Sequence, residues 1–164
     1  MIIEHTFVTT LDPDDAFAGA DQYLGPLGFE RPMEGIDTSS PDHGFREWTR
    51  GKDNPAKAKV PTQLPQRLRM DFDRGRVTMA YAVTFTHPAK AAKHLKASAL
   101  ALCAGVEQLL TGARSCDELI TEVRELEEEL DRRARKSKTV AAVLLGAFVA
   151  IIVGGVIIAV LSLP

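Results

Sequence analysis

From Thr139 to Leu163 the chain contains no charged side chain, and only Pro164 follows. As a helix these 25 residues would run about 37 Å at ~1.5 Å per residue, more than the ~30 Å of bilayer hydrocarbon. The absence of charge therefore excludes a solvated surface element and predicts a transmembrane helix over 139–163. Its position at the end of the sequence predicts a tail-anchored, single-pass protein.

Cysteine is scarce: Cys103 and Cys116 are the only two. Their separation is not that of a metal-binding pair, and a disulfide framework is excluded, so two free thiols in a reducing compartment are expected. Cys103 sits among Ala99, Leu102 and Val106 and reads as core. Cys116 would lie about 34 Å from the apolar run along a continuous helix, too far for membrane-proximal acylation.

An excess of either charge is also lacking. The 20 Lys and Arg and 22 Asp and Glu all precede residue 139 and leave a net charge of −2. A nucleic-acid partner is not expected, because such binders carry a broad positive surplus. The N-terminus Met1-Ile2-Ile3-Glu4-His5 has neither the basic region nor the apolar run of a signal peptide, and Ile2 rules out N-myristoylation. Arg132, Arg133, Arg135, Lys136 and Lys138 stand directly before the apolar run. Basic residues in that position stay on the cytoplasmic side, so the N-terminal domain is expected in the cytoplasm, with the basic cluster at the membrane surface.

Catalytic signatures are missing. Gly51-Lys52 fails as a phosphate loop, since Arg46 and Asp53 stand where Gly and Ser or Thr are needed. No dinucleotide fingerprint, His-Glu-x-x-His, Cys-x-x-Cys or Gly-x-Ser-x-Gly occurs. His5, His43, His87 and His94 lack ligand spacing, and His87 before Pro88 reads as a strand-to-helix junction. No catalytic residue, metal site or cofactor is expected. Asp71 and Asp73 would share one strand face at ~7 Å, a spacing that acid–base pairs use. Arg67, Arg69 and Arg76 fall on that same face, so a compensated, solvated surface is the expected role.

What is present describes an α+β domain. Ile2 to Thr9 reads as a strand. Asp12 can cap a helix whose first position suits Pro13, with Asp14 and Asp15 at the positive end of the dipole, and Gly25-Pro26 ends it near residue 24. From Glu30 to Pro65 five prolines and scattered turn formers predict a mobile loop, with Phe45 to Arg50 strand-like and Trp48 its anchor to the core.

Leu68, Met70 and Phe72 then alternate with charged residues, and Val77, Met79, Tyr81 and Val83 with small or polar ones. A two-residue turn at Arg74-Gly75 pairs Phe72 with Val77, Met70 with Met79, Leu68 with Tyr81 and Asp73 with Arg76. A helix from Pro88 carries the stripe Leu95, Ala99, Leu102, Val106, Leu109 and closes at Gly112. Ser115 and Glu118 have capping-box spacing for a second helix striped by Leu119, Val123, Leu126 and Leu130. Pairs Glu128–Arg132, Glu129–Arg133 and Asp131–Arg135 stand at i,i+4 on it.

The predicted order β-α-β-β-β-α-α implies a small antiparallel sheet of three or four strands with helices on one face. The expected units are an α+β domain (1–114), a charged juxtamembrane helix (115–138) and the span (139–163). Over roughly residues 1 to 111 this order resembles the helix-grip arrangement, which implies a cavity between sheet and long helix; Met70, Phe72, Met79, Tyr81, Leu102 and Val106 would line it.

From Asp117 to Asp131 there are eight acids and one base, and residues 132 to 138 hold five bases and no acid. Such a helix can stand as a stalk over an anionic leaflet or fold back on the domain through its Leu stripe. Within the span Ala142, Gly146, Ala150 and Gly154 recur every four residues and offer a homodimer face. The leading functional expectation is a membrane-anchored adaptor with a protein partner. A ligand-binding or enzymatic cavity, and a membrane-organising role through the span, are the alternatives.

Overall fold

The computed structural model describes residues 1–31, 43–84 and 88–136. The strands are β1 (Ile2–Val8), β2 (His43–Arg50), β3 (Gln66–Asp73) and β4 (Arg76–Val83), and helices α1 (Pro13–Leu24) and α2 (Pro88–Leu110) join them. A third helix, α3, occupies residues 116–136. The chain is thus α+β, with the strands in one antiparallel sheet of order β1-β4-β3-β2.

The β3–β4 hairpin has the register its alternation predicts: Leu68 lies opposite Tyr81, Met70 opposite Met79, Phe72 opposite Val77 and Asp73 opposite Arg76. Arg74 and Gly75 both take positive φ, 48° and 80°, the two-residue turn whose twist matches the strands it joins. Leu68, Met70, Val77 and Met79 are fully buried on the inner face, while Arg67, Arg69 and Asp73 are exposed on the outer one. A one-residue slip would expose that whole apolar set, which is why alternation specifies the register.

The Asp12 side chain accepts from the Asp15 N–H at 2.8 Å, with Pro13 next in the chain. Ala16, Phe17, Ala20, Tyr23 and Leu24 of α1 are buried, as are Leu95, Ala99, Leu102, Cys103, Val106 and Leu110 of α2. Leu110 takes the buried position expected of Leu109, which is only partly buried. Gly105 lets the two helices approach: a Cβ there would lie 2.2 Å from the Tyr23 hydroxyl.

The proline-rich stretch is more structured than its composition suggests. β2 pairs along β3 with Trp48 opposite Leu68, and Trp48 is 1% exposed. Beyond it, 3-10 turns at Pro55–Lys57 and Pro61–Gln63 are pinned by buried Val60 and Leu64. Gly51, at φ +95°, passes so close beneath this loop that a Cβ would stand 2.1 Å from the Leu64 carbonyl oxygen.

α3 folds back on the domain through Leu119, Ile120 and Val123, all buried, whereas Leu126 is 38% exposed. The stalk arrangement does not hold over these residues: the docked face steps from Leu119 to Val123 to Glu127, not to Leu126. Arg133 pairs with Glu129 at 2.7 Å as expected, but Arg132 also reaches Glu129 and Asp131 bonds Thr62. Among the described residues no helix is long and apolar enough to cross a membrane. The transmembrane expectation for 139–163, the Ala142, Gly146, Ala150 and Gly154 face, Lys138, His87 and the loop expectation for 32–42 lie outside the described residues.

Candidate functional site

Alternation along β2 turns Gly44, Arg46, Trp48 and Arg50 toward the helices, because their partners Phe72, Met70, Leu68 and Gln66 face that way. Two guanidinium groups therefore enter the sheet–helix layer, and each is met by an aromatic ring and a carboxylate. Arg46 lies 4.8 Å over Phe17 and donates to Asp21 at 2.8 Å, and the Trp48 indole N–H donates to the other Asp21 oxygen at 2.7 Å. Trp48 thus anchors the strand as expected.

Arg50 builds the larger network. Its side chain is 7% exposed and that of Glu127 12%. The guanidinium lies 4.3 Å over Phe29 and spans both Glu127 oxygens, with Nη1 to Oε2 at 3.1 Å and Nη2 to Oε1. It also donates to the Leu27 carbonyl at 2.8 Å and through Nε to Gln66 Oε1 at 2.7 Å. The Tyr81 hydroxyl donates to that same Gln66 oxygen at 2.5 Å, and Gln66 Nε2 donates to the Thr62 carbonyl at 3.1 Å. Ser98 donates to Glu127 at 3.3 Å. Burial, opposed by the neighbouring Arg50 cation, pushes the Tyr81 phenol above its ordinary range, so it remains a hydrogen donor.

These bonds join β2, β3, β4, α2 and α3 at one end of the sheet. A buried bidentate Arg–carboxylate pair is held by geometry and by satisfied remaining donors; the charges alone would not justify burial. Arg50 and Gln66 of this network also line a cleft of about 790 Å³, together with Gly28, Glu30, Thr49, Gly51, Lys52, Asp53, Pro65, Arg67, Ala82 and Thr84. Hydroxyls, amides and charges of both signs meet there, so the cleft is suited to recognition through hydrogen bonds more than to enclosing an apolar molecule.

The six expected cavity residues lie elsewhere. Met70, Phe72, Met79, Tyr81, Leu102 and Val106 are 0–4% exposed in the packed core, and none lines the cleft. The space the helix-grip resemblance assigns to a ligand is occupied by side chains of α1 and α2. Only Tyr81 touches the site, through Gln66.

Asp71 is engaged by the Arg69 fork at 2.6 Å and Asp73 by the His43 ring at 2.9 Å. Arg67 pairs with Glu47 at 2.6 Å. His5 meets Glu107 at 2.6 Å. Among the described residues no group of three or more His, Cys, Asp or Glu is placed to hold a metal. Burial raises the Cys103 thiol to about 12 and also raises that of Cys116, so neither is an activated nucleophile.

Arg50, Gln66 and Glu127 escaped sequence reasoning, although two of them leave a signal. Gln66 falls on the apolar register of β3, and Glu127 on the four-residue step after Leu119 and Val123; each is a polar group on an apolar seam. Comparison with family models, with curated proteins and with solved structures finds no match to this chain.

Proposed function

We propose that the chain is a tail-anchored, single-pass membrane protein that presents its α+β domain at the cytoplasmic face as an adaptor, with the polar cleft receiving a protein partner. The observation that carries this reading is the uncharged run from Thr139 to Leu163 with five basic residues between 132 and 138. Such a run prefers hydrocarbon, and its basic flank favours the cytoplasmic side. The docking of α3 supports a domain held close to its anchor: Asp131, bonded to Thr62 at 2.6 Å, is one residue before the basic cluster. Thr62 in turn accepts from Gln66 of the cleft at 3.1 Å, so α3 passes beside the cleft at this point.

Alkaline extraction of membranes tests the anchor. Full-length protein is expected to stay with the bilayer and a version lacking 139–164 to leave it; release of both removes the reading. Proximity labelling from the N-terminus, comparing wild type with Lys52→Glu at the cleft, tests the adaptor role. A set of neighbours lost with that single charge reversal is expected, and an unchanged set argues against the cleft as the docking site. The volume of about 790 Å³ lies within the range of small-molecule sites, which supports a small polar ligand as the second reading. Saturable shifts of amide signals at Thr49, Gln66 and Thr84 on adding a polar metabolite mixture would favour it.

A further inference from the structure

The edge strand β1 is built to pair with itself, and we infer that a second copy of this chain adds to it, making one continuous sheet of eight strands. Met1 and Val83 exchange backbone bonds at 3.2 and 3.0 Å, and the Thr9 N–H bonds the Gly75 carbonyl at 2.8 Å. In an antiparallel ladder this phase directs the N–H and C=O groups of odd-numbered residues to β4. Those of Ile2, Glu4, Thr6 and Val8 point to the opposite side, where among the described residues no strand pairs. An edge of this length is a template for another strand.

The side chains select both the occupant and the register. Ile2 and Val8 are 72% and 69% exposed, and they stand symmetrically about His5. A two-fold axis at His5 sets Ile2 against the partner's Val8 and Glu4 against the partner's Thr6. Each is a pair of even-numbered residues, so the free backbone groups close about eight hydrogen bonds. A shift by two residues one way opposes Glu4 with its own copy, a like-charge clash; the other way it leaves Ile2 without an apolar partner.

The helix layer adds an independent observation. Leu100 is 44% exposed and lies two turns before Glu107 on the same face of α2, the face that meets β1 through His5 at 2.6 Å. Ile2, Val8 and Leu100 are three of the four large apolar side chains left exposed among the described residues, and all three border this one edge. A second copy covers them above and below the joined sheet. This interface is distinct from the small-residue face of the apolar run and compatible with it.

Oxidative cross-linking of the full chain in a Cys116→Ser background tests the register. Opposed residues would place Cα atoms ~5.5 Å apart, within disulfide reach. The Glu4→Cys/Thr6→Cys variant is expected to cross-link most of the protein. Ile2→Cys is expected to give less than a tenth as much, because the two Ile2 positions would be ~20 Å apart. Adding Val8→Asp should cut cross-linking at least fivefold without changing Trp48 fluorescence, and adding Gly146→Leu should leave it intact. No cross-link from the Glu4/Thr6 variant, an equal cross-link from Ile2→Cys, or loss of the cross-link with Gly146→Leu would overturn the inference.

Discussion

Removing the carboxylate of Glu127 while leaving Arg50 in place is the sharpest perturbation of this domain. In the wild type the Arg50 guanidinium, 7% exposed, has among the described residues one counter-ion, Glu127, itself 12% exposed. Glu127→Ala leaves a cation buried against Phe29, Leu27 and Gln66 with hydrogen bonds to neutral groups only, and removes the contact that ties α3 to β2. Breaking one partner of a buried pair costs about 3–5 kcal/mol, whereas replacing both with apolar groups of similar volume is often neutral or stabilising.

Against a total stability of about 5–15 kcal/mol, the single variant should lose about a fifth or more, a fall in Tm on the order of 10–20 °C. Arg50→Met/Glu127→Met should recover most of that loss. Trp48 is the only tryptophan and is 1% exposed, so urea titration of the full chain in mild detergent, followed by its emission, reads the transition directly. A Glu127→Ala midpoint indistinguishable from wild type, or a double variant as unstable as the sum of both singles, would refute the buried-pair argument.

Other outcomes follow from the same packing. Gly51→Ala should cost more than the ~1–2 kcal/mol of positive φ alone, because the new Cβ would meet the Leu64 carbonyl at 2.1 Å. Gly25→Ala, at φ −54° with nothing within 4 Å, should be neutral or stabilising by up to about 1 kcal/mol; denaturant midpoints separate the two. Tyr23→Phe should raise stability by up to ~1 kcal/mol in the same assay, since the buried Tyr23 hydroxyl has no hydrogen-bond partner among the described residues and the substitution discards a desolvated polar group. A thiol reagent at neutral pH should modify Cys116 in the native protein and both cysteines in denaturant. Because the Cys103 thiol sits near 12 when folded against 9 unfolded, its protonated form contributes stability below pH 9 that is lost as pH climbs toward 12. Unfolding midpoints measured from pH 8 to 11 should fall, not rise.

The sequence alone determined the elements and their local geometry, because these rest on periodicities of a few residues. The period-two pattern of Leu68 to Phe72 and Val77 to Val83, with a turn at Arg74-Gly75, specifies the hairpin down to individual pairs. The Asp12-Pro13 cap and Gly25-Pro26 stop specify α1, and the step pattern from Leu95 to Val106 specifies the buried face of α2. Composition likewise marks the apolar run after residue 138 without reference to anything else in the chain.

Tertiary structure decided what lies between elements far apart in sequence. Arg50, Gln66 and Glu127 meet across 77 residues, counting from the first to the last, and no local rule says that an arginine on β2 will turn inward. It does so because β2 must align its other face with Glu47 and Thr49 toward solvent while Trp48 fills the core, and parity then carries Arg50 inside. Glu127 follows because the docked face of α3 steps by four from Leu119 through Val123, past the more hydrophobic Leu126. The cleft has the same kind of origin, since its walls come from the turn after α1, the ends of β2, β3 and β4 and the segment after β2, which meet only when the sheet is assembled.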